Sequence, residues 1–205
     1  MKKWKIWGIV VLFFLIFLFF FMKNNYKNFK FGHNESNKSV KEVEEYILNV
    51  NSYEATVEVT VNSNKNTNKY LLKQEQDLKN TEKKQIVLKP ENIAGVELKS
   101  NNGNLTVTNS RLNLNQMYTD YPDISDNILW LGSFIEYYKN NKNKTSIYEE
   151  HGDIVMEIKN KQDRNIGKRK LYLEQGTGKP KKMVIEGDNK KDKVYILYNE
   201  IIIKK

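Results

Sequence analysis

An uninterrupted apolar segment near the N-terminus is the feature that most constrains how this chain folds. Residues Ile6 to Met22 read IWGIVVLFFLIFLFFFM, with no charged residue and no proline. A helix of about 20 apolar residues spans the hydrocarbon core of a bilayer, whereas a helix packed on a soluble core needs a polar face. Trp4 and Trp7 carry rings that favour the membrane interface. The sequence therefore predicts a transmembrane anchor, with its basic flank, over residues 1–23.

The flanks of this anchor predict its fate and its orientation. A cleavable signal peptide has small residues before the cut site, but this apolar run ends in Phe-Phe-Met, and a lipidated signal is excluded because the chain has no Cys. Lys2, Lys3 and Lys5 precede the run and Lys23 follows it, so these lysines join the two tryptophans as predicted membrane-interface residues. The positive-inside rule then favours a cytoplasmic N-terminus and an extracytoplasmic body. We expect a single-pass membrane protein.

The net charge of +9 does not indicate a nucleic-acid partner. Four of the basic residues flank the anchor, and the others are interspersed with 25 acidic residues. Nucleic-acid surfaces favour clustered Lys and Arg, and the only arginines are Arg111, Arg164 and Arg169. The absence of Cys also excludes disulfides and thiolate metal sites. The body must therefore depend on a packed core.

Local patterns predict the order of elements after a polar juxtamembrane linker at residues 24–38. Ser39 and Glu42 form a capping box, which starts a short amphipathic helix running to about Asn49. Strict alternation from Tyr53 to Val61 predicts a half-buried strand. The sequence Asn101-Asn102-Gly103-Asn104 predicts a type I′ hairpin, because Asn and Gly tolerate positive φ. Residues 39–205 are predicted to form one exported domain.

The second half of the body predicts a further helical segment and then a meander. Bulky residues from Leu129 to Tyr138 recur at helical spacing, with Ser125 or Asp126 able to cap the helix and Gly132 able to divide it. Period-two patterns then predict five strands joined by Gly-rich turns: 146–150, 153–159, 169–174, 182–186 and 194–203. The predicted class is α+β, a curved antiparallel sheet covered by short helices.

Several of these motifs resemble the superfamily of LolA/LolB-like proteins. The C-terminal meander of that superfamily resembles residues 171–174, 178–187 and 194–201 of this chain. Its proline break resembles Lys89-Pro90-Glu91-Asn92, and its hairpin resembles the Asn-Gly hairpin at residues 101–105. Within the superfamily, the Asn- and Lys-rich composition is most similar to the GerS-related spore germination proteins. This resemblance implies a half-barrel fold and a non-catalytic role at the forespore membrane or cell envelope of a Gram-positive spore former, assisting a cortex peptidoglycan amidase. The lipobox Cys of that group is missing.

The residues themselves give little support for catalysis. His151 lies beside Glu150 and Asp153 in the sequence, and side chains of these three types are able to bind a metal ion. A zinc site, however, needs convergent ligands and a second shell of hydrogen bonds. We therefore interpret His151 as a turn residue. No phosphate-binding loop and no hydrolase or metalloprotease motif occurs in the sequence. The sequence therefore predicts no enzyme activity, no cofactor and no catalytic or metal-binding residue.

Two binding functions stay open on the sequence alone. The first is a tethered module that binds another exported protein, and the polar faces of its strands favour it. The second is a half-barrel that binds a lipid, an acyl chain or a lipoprotein in a hydrophobic cavity lined by Val57, Val59, Trp130, Phe134 and Tyr138. The run Ile201-Ile202-Ile203 suggests a sheet edge that accepts a partner strand. Three consecutive Ile are, however, more typical of a strand end that is buried on both faces.

Overall fold

The computed structural model describes residues 38–121, 128–159, 167–187 and 192–205. The chain divides into two compact units, Met1–Ser36 and Asn37–Lys205. The predicted anchor, and all but the last residue of the predicted linker, lie outside the described residues. Within the described ranges, no helix is long and apolar enough to cross a membrane. The predicted boundaries at residues 23 and 38 stay predictions.

The described part of the second unit contains one antiparallel sheet of 11 strands. The first six are β1 (Ser52–Asn62), β2 (Thr67–Asp77), β3 (Glu82–Lys89), β4 (Glu97–Asn101), β5 (Asn104–Asn109) and β6 (Leu114–Tyr118). The others are β7 (Thr145–Glu150), β8 (Asp153–Lys159), β9 (Lys168–Glu174), β10 (Pro180–Glu186) and β11 (Lys193–Lys204). Their order is β6-β5-β4-β3-β2-β1-β11-β10-β9-β8-β7. Two meanders are thus joined where the last strand pairs with the first, and a sheet of this width twists and curls.

Two helices lie in the described part of the second unit: α1 (Val40–Leu48) and α2 (Leu131–Asn140). The predicted capping box of α1 is confirmed, because Ser39 Oγ accepts from the Glu42 N–H at 3.3 Å and Glu42 Oε2 accepts from the Ser39 N–H at 2.7 Å. Helix α2 begins at Leu131, later than predicted, and its N-cap is Trp130 without a side-chain hydrogen bond. Gly132 lies in its first turn and does not divide it. The proposed caps, Ser125 and Asp126, lie outside the described residues.

The helices cover one face of the sheet, which carries the core. Alternate residues of β1 point to this inner face, and Tyr53, Ala55, Val57 and Val59 are each at most 4% exposed. Their neighbours on β8 to β11 are equally apolar and buried: Ile154, Met156, Ile158, Leu171, Leu173, Met183 and Ile196. The predicted antiparallel sheet with one face covered by helices is confirmed.

The predicted Asn-Gly hairpin is also confirmed. Asn102 and Gly103 have φ values of +47° and +79°, and they connect β4 to β5. The type I′ turn needs this left-handed backbone at both positions. His151 and Gly152, with φ values of +52° and +81°, form a similar turn between β7 and β8, as the interpretation of His151 as a turn residue expected.

One strand was not predicted, and one expectation about a strand is wrong. Strand β6 has no counterpart in the sequence analysis, because LNQMY alternates only weakly between apolar and polar residues. The expectation that Ile201-Ile202-Ile203 is buried on both faces fails because, among the described residues, only the inner face is covered there. Ile201 and Ile203 lie opposite Ala55 and Tyr53 on that face, whereas Ile202 lies on the outer face and is 61% exposed.

Candidate functional site

The five residues predicted to line a hydrophobic cavity lie in the packed core. None is more than 5% exposed, and all belong to one cluster: Val57, Val59, Trp130, Phe134 and Tyr138. The rings of Phe134 and Tyr138 are stacked, with centroids 6.0 Å apart and an interplanar angle of 25°. The inner face at this position is therefore filled by the protein's own side chains. Binding of a lipid here stays a prediction.

The predicted membrane-interface residues are not placed by the structure. These residues, which lie outside the described ranges, are Lys2, Lys3, Trp4, Lys5, Trp7 and Lys23.

The sheet itself caps the N-terminus of α2. The Leu131 N–H donates to the Tyr53 hydroxyl at 3.2 Å, and the Gly132 N–H donates to Gln76 Oε1 at 3.2 Å. Both acceptors are buried. A Cβ on Gly132 would lie 2.5 Å from the Gln76 amide, so glycine allows this close approach. Helix α2 is thus held at a fixed distance from β1 and β2.

Two polar cavities lie beside the end of the sheet where β2 turns into β3. The larger, of about 480 Å³, is lined by both charge signs, including Glu54, Glu75, Asp77, Glu82, Lys84, Lys99 and Lys204. The smaller, of about 330 Å³, lies beside α2 and is lined by Asn51, Lys79, Glu136 and Lys139 among others. Gln76 and Lys83 line both. Because acidic and basic groups alternate, these cavities have the character of a solvated ion-pair surface.

Four exposed apolar side chains lie on the edge strand β6 or in the segments next to it. We call Leu112, Met117, Tyr118 and Tyr121 the β6 patch; they are 49%, 65%, 47% and 40% exposed. The rings of Tyr118 and Tyr121 lie 6.1 Å apart, and the Tyr121 N–H donates to the Gly103 carbonyl at 2.7 Å. Among the described residues, β6 pairs only with β5. Exposed apolar groups at an edge strand mark a surface suited to protein contact.

A buried carboxylate lies at the other end of the sheet. Glu157, on the outer face of β8, is 6% exposed. It accepts from the Tyr148 hydroxyl at 2.9 Å and pairs with the amines of Lys159 and Lys170 at 3.1 and 3.6 Å. Burial raises the pKa of Glu157, but the hydrogen bonds from Lys159 and Tyr148, together with the positive charges of Lys159 and Lys168, hold that pKa below the ordinary value of 4.5.

This arrangement predicts acid sensitivity of the fold. A carboxylate whose folded-state pKa is depressed adds stability above its unfolded pKa, and that stability is lost as the pH falls through the folded pKa. We expect the free energy of unfolding of residues 38–205 to fall between about pH 5 and pH 3, and Glu157→Gln to weaken this dependence. Urea unfolding of the wild type and of the variant at about pH 5 and about pH 3 measures this pH dependence. An identical pH slope in wild type and variant would contradict the assignment to Glu157.

The carboxylates beside His151 are held by lysines. Lys181 Nζ lies 2.7 Å from Asp153 and Lys170 Nζ lies 3.8 Å from Glu150. Within the described ranges, no group of three or more His, Asp or Glu side chains is arranged to hold a metal ion.

Sequence reasoning missed the β6 patch and the contacts that cap α2. Each cap joins residues 78 or 56 positions apart, beyond the reach of any local pattern. The only available signal for the patch was the group Met117, Tyr118 and Tyr121, which is apolar but lacks a helical or strand period.

A family model described as "Sporulation protein YdcC-like" matches residues 8–205. No curated protein matches the chain significantly.

The chain is similar to several solved structures. An uncharacterized conserved protein from Thermus thermophilus aligns with a TM-score of 0.50 at 10% identity, covering 81% of this chain and 86% of that one. The CwlD amidase of Clostridioides difficile in complex with the GerS lipoprotein contains a chain that aligns with a TM-score of 0.45 at 21% identity, covering 80% and 90%. A LolA superfamily protein from Nitrosomonas europaea aligns with a TM-score of 0.41 at 10% identity, covering 82% and 94%. The likeness to the Thermus protein concerns the fold alone, and the two lower scores support no further conclusion.

Proposed function

This chain belongs to the family of YdcC-like sporulation proteins, and we propose that it is a membrane-anchored, non-catalytic accessory protein that binds another protein of the cell envelope. The apolar run Ile6–Met22 and the lysines before it support anchorage with the body outside the cytoplasm. A protein anchor then takes the place of the lipid anchor for which the chain has no Cys.

The observation that carries protein binding is the contrast between the two surfaces of the sheet. The inner face is filled by core side chains, with Phe134 and Val57 fully buried. Four of the seven large apolar side chains that are exposed in the described residues belong instead to the β6 patch. Patches of this kind on soluble domains are typical of protein interfaces, and Tyr and Met are enriched in such interfaces. This contrast favours a protein partner over a lipid.

The partner that we propose is a cortex peptidoglycan amidase. The sequence resemblance to GerS-related proteins implies this class of partner, and membership of a sporulation family is compatible with it. The chain would hold or position the enzyme at the membrane and contribute no catalytic group. A lipid- or acyl-chain-binding half-barrel is the alternative, and native mass spectrometry of the purified protein would reveal a bound lipid.

We expect Met117→Lys in the full-length chain to reduce the recovery of its envelope partner at least about tenfold, because a charge that replaces an exposed apolar side chain within an interface is left desolvated. The measurement is crosslinking in sporulating cells, followed by affinity purification and quantitative mass spectrometry. The matched control is Leu88→Lys on β3, where the native side chain is 39% exposed outside the patch.

Equal recovery from both variants would argue against the β6 patch as the docking surface. Recovery of no wall-modifying enzyme from the wild-type chain would overturn the proposed partner class.

A further inference from the structure

One half of β11 has a strand partner on one side only. Strand β11 is 12 residues long and β10 is 7. Strand β1 pairs with β11 from Lys193 to Lys204 except at a bulge that skips Asn199, but β10 pairs only with Lys193 to Leu197. We call Asn199–Lys204 the open edge of β11. Among the described residues, the backbone hydrogen bond that reaches this segment from outside the strands comes from Asn51, which precedes β1.

The turn before β10 explains why that strand stops. Strand β10 begins at Pro180, which has no N–H to donate. Just before it, the Gly178 N–H donates to the Glu174 carbonyl and the Glu174 N–H donates to the Lys179 carbonyl. Gly178 has a φ of +78°. These contacts direct the chain back to β9, so that β10 does not extend along the open edge.

The open edge combines a side without a described strand partner with an exposed aliphatic side chain. Every second residue of an antiparallel strand directs its N–H and C=O to the side away from a given neighbour, and none of the described strands pairs with the segment on that side. On the outer face the segment presents Glu200, Ile202 and Lys204, and all three are exposed. An edge of this kind readily pairs with another strand.

We propose that the open edge of β11 pairs in antiparallel fashion with the open edge of a second copy of this chain, in a two-fold dimer. With Ile202 on the two-fold axis, each Ile202 lies opposite the other. Glu200 then lies opposite Lys204 of the second copy, and the inner-face residues Ile201 and Ile203 also meet across the interface. The sequence Glu-Ile-Ile-Ile-Lys is thus complementary to itself in this register.

Other pairings of the same two segments lose this complementarity. A shift by two residues places Ile202 opposite a charged side chain, and parallel pairing places Glu200 opposite Glu200. Opposite charges directly across a strand pair stabilise it, and like charges destabilise it. Lys204 already lies 3.8 Å from Glu54, but the Lys204 side chain is 68% exposed, so that contact leaves the Lys204 amine accessible. The two-fold operation makes the interface isologous and closed.

The test exploits the absence of Cys from the chain. Ile202→Cys in the full-length, membrane-embedded protein places two thiols opposite each other, about 4.5–5.5 Å apart at Cβ, close to the spacing of a disulfide. We expect an oxidant or a short bis-maleimide reagent to give a covalent homodimer on denaturing gels. The control is Leu197→Cys, on the outer face of the same strand and 42% exposed, but flanked by Lys182 and Glu58.

An equal yield of covalent homodimer from the control Leu197→Cys would overturn the proposal. So would the absence of covalent homodimer from Ile202→Cys. An adduct of Ile202→Cys with a different protein would also overturn it, in favour of a foreign strand on the open edge.

Charge reversal tests the register independently. In the Ile202→Cys background, Glu200→Lys alone and Lys204→Glu alone each place like charges across the interface, and we expect crosslinking to fall at least about fivefold. The double variant Glu200→Lys with Lys204→Glu restores opposite charges and should restore crosslinking. If the double variant crosslinks no better than either single variant, the register is wrong.

Discussion

Replacing Phe134 with alanine is expected to lower the free energy of unfolding by about 3–5 kcal/mol, the usual cost of removing a buried aromatic ring. Phe134 is fully buried between α2 and the sheet. Its ring stacks on Tyr138, and the Arg169 guanidinium carbon lies 5.9 Å from the ring centroid. The surrounding backbone is held by strand pairing and by the capped helix, so the site cannot collapse fully into the space that the ring leaves.

Residues 38–205 are suited to this measurement because they lie within one compact unit with its own core. Urea unfolding followed by circular dichroism gives the free energy directly. Phe134→Leu, which keeps most of the volume, should cost clearly less, and Leu88→Ala at an exposed position should cost under about 0.5 kcal/mol. A loss below about 1 kcal/mol for Phe134→Ala would mean that the inner face contains space the structure does not show, and it would revive the cavity hypothesis.

Replacing Tyr53 with phenylalanine is the second large effect that we expect, a loss of about 1–3 kcal/mol. The hydroxyl of this buried residue accepts from the Leu131 N–H, and its removal leaves a helix N-terminal donor unsatisfied in the interior. Burial raises the pKa of Tyr53 well above its ordinary value of 10.0, so the hydroxyl stays neutral throughout the physiological range.

The same substitution at Tyr198 is a matched control. Tyr198 is also buried, but in the described part of the protein its hydroxyl has no hydrogen-bond partner. Removing a buried hydroxyl that makes no bond is neutral or stabilising. Thermal unfolding of the two variants therefore separates the cap from the general effect of losing a hydroxyl. Equal losses at both positions would show that the Tyr53 contact does not stabilise α2.

Much of the sheet could be predicted because its signals are local. Alternation from Tyr53 to Val61 depends on side chains pointing to opposite faces of one strand, and the Asn102-Gly103 turn depends on the backbone freedom of two residues. The capping box of α1 spans four consecutive residues. Each of these features is decided by neighbours in the chain, and the structure confirms each of them.

The start of α2 and the exposure of Ile202 could not be predicted in this way. Tyr53 and Gln76 cap α2 from strands that are distant in the sequence, so the nearby Ser125 and Asp126 were the natural expectation. Ile202 is the middle residue of three consecutive isoleucines, a composition that is typical of a strand end buried on both faces. It is exposed on the outer face because no element of the described ranges covers that face there, and the partners of β11 depend on where β10 begins.

The sequence by itself therefore determined the apolar run near the N-terminus, the period of most of the strands and the chemistry of the turns, because these depend on residues within a few positions of one another. Only the tertiary structure decided that β11 closes the sheet against β1 and leaves half of one edge open. The same is true of the inner face, which is filled by core side chains, and of the exposed apolar side chains on and beside β6. These features depend on relative strand lengths, on register and on which faces the helices cover, and none of these is encoded in a local pattern.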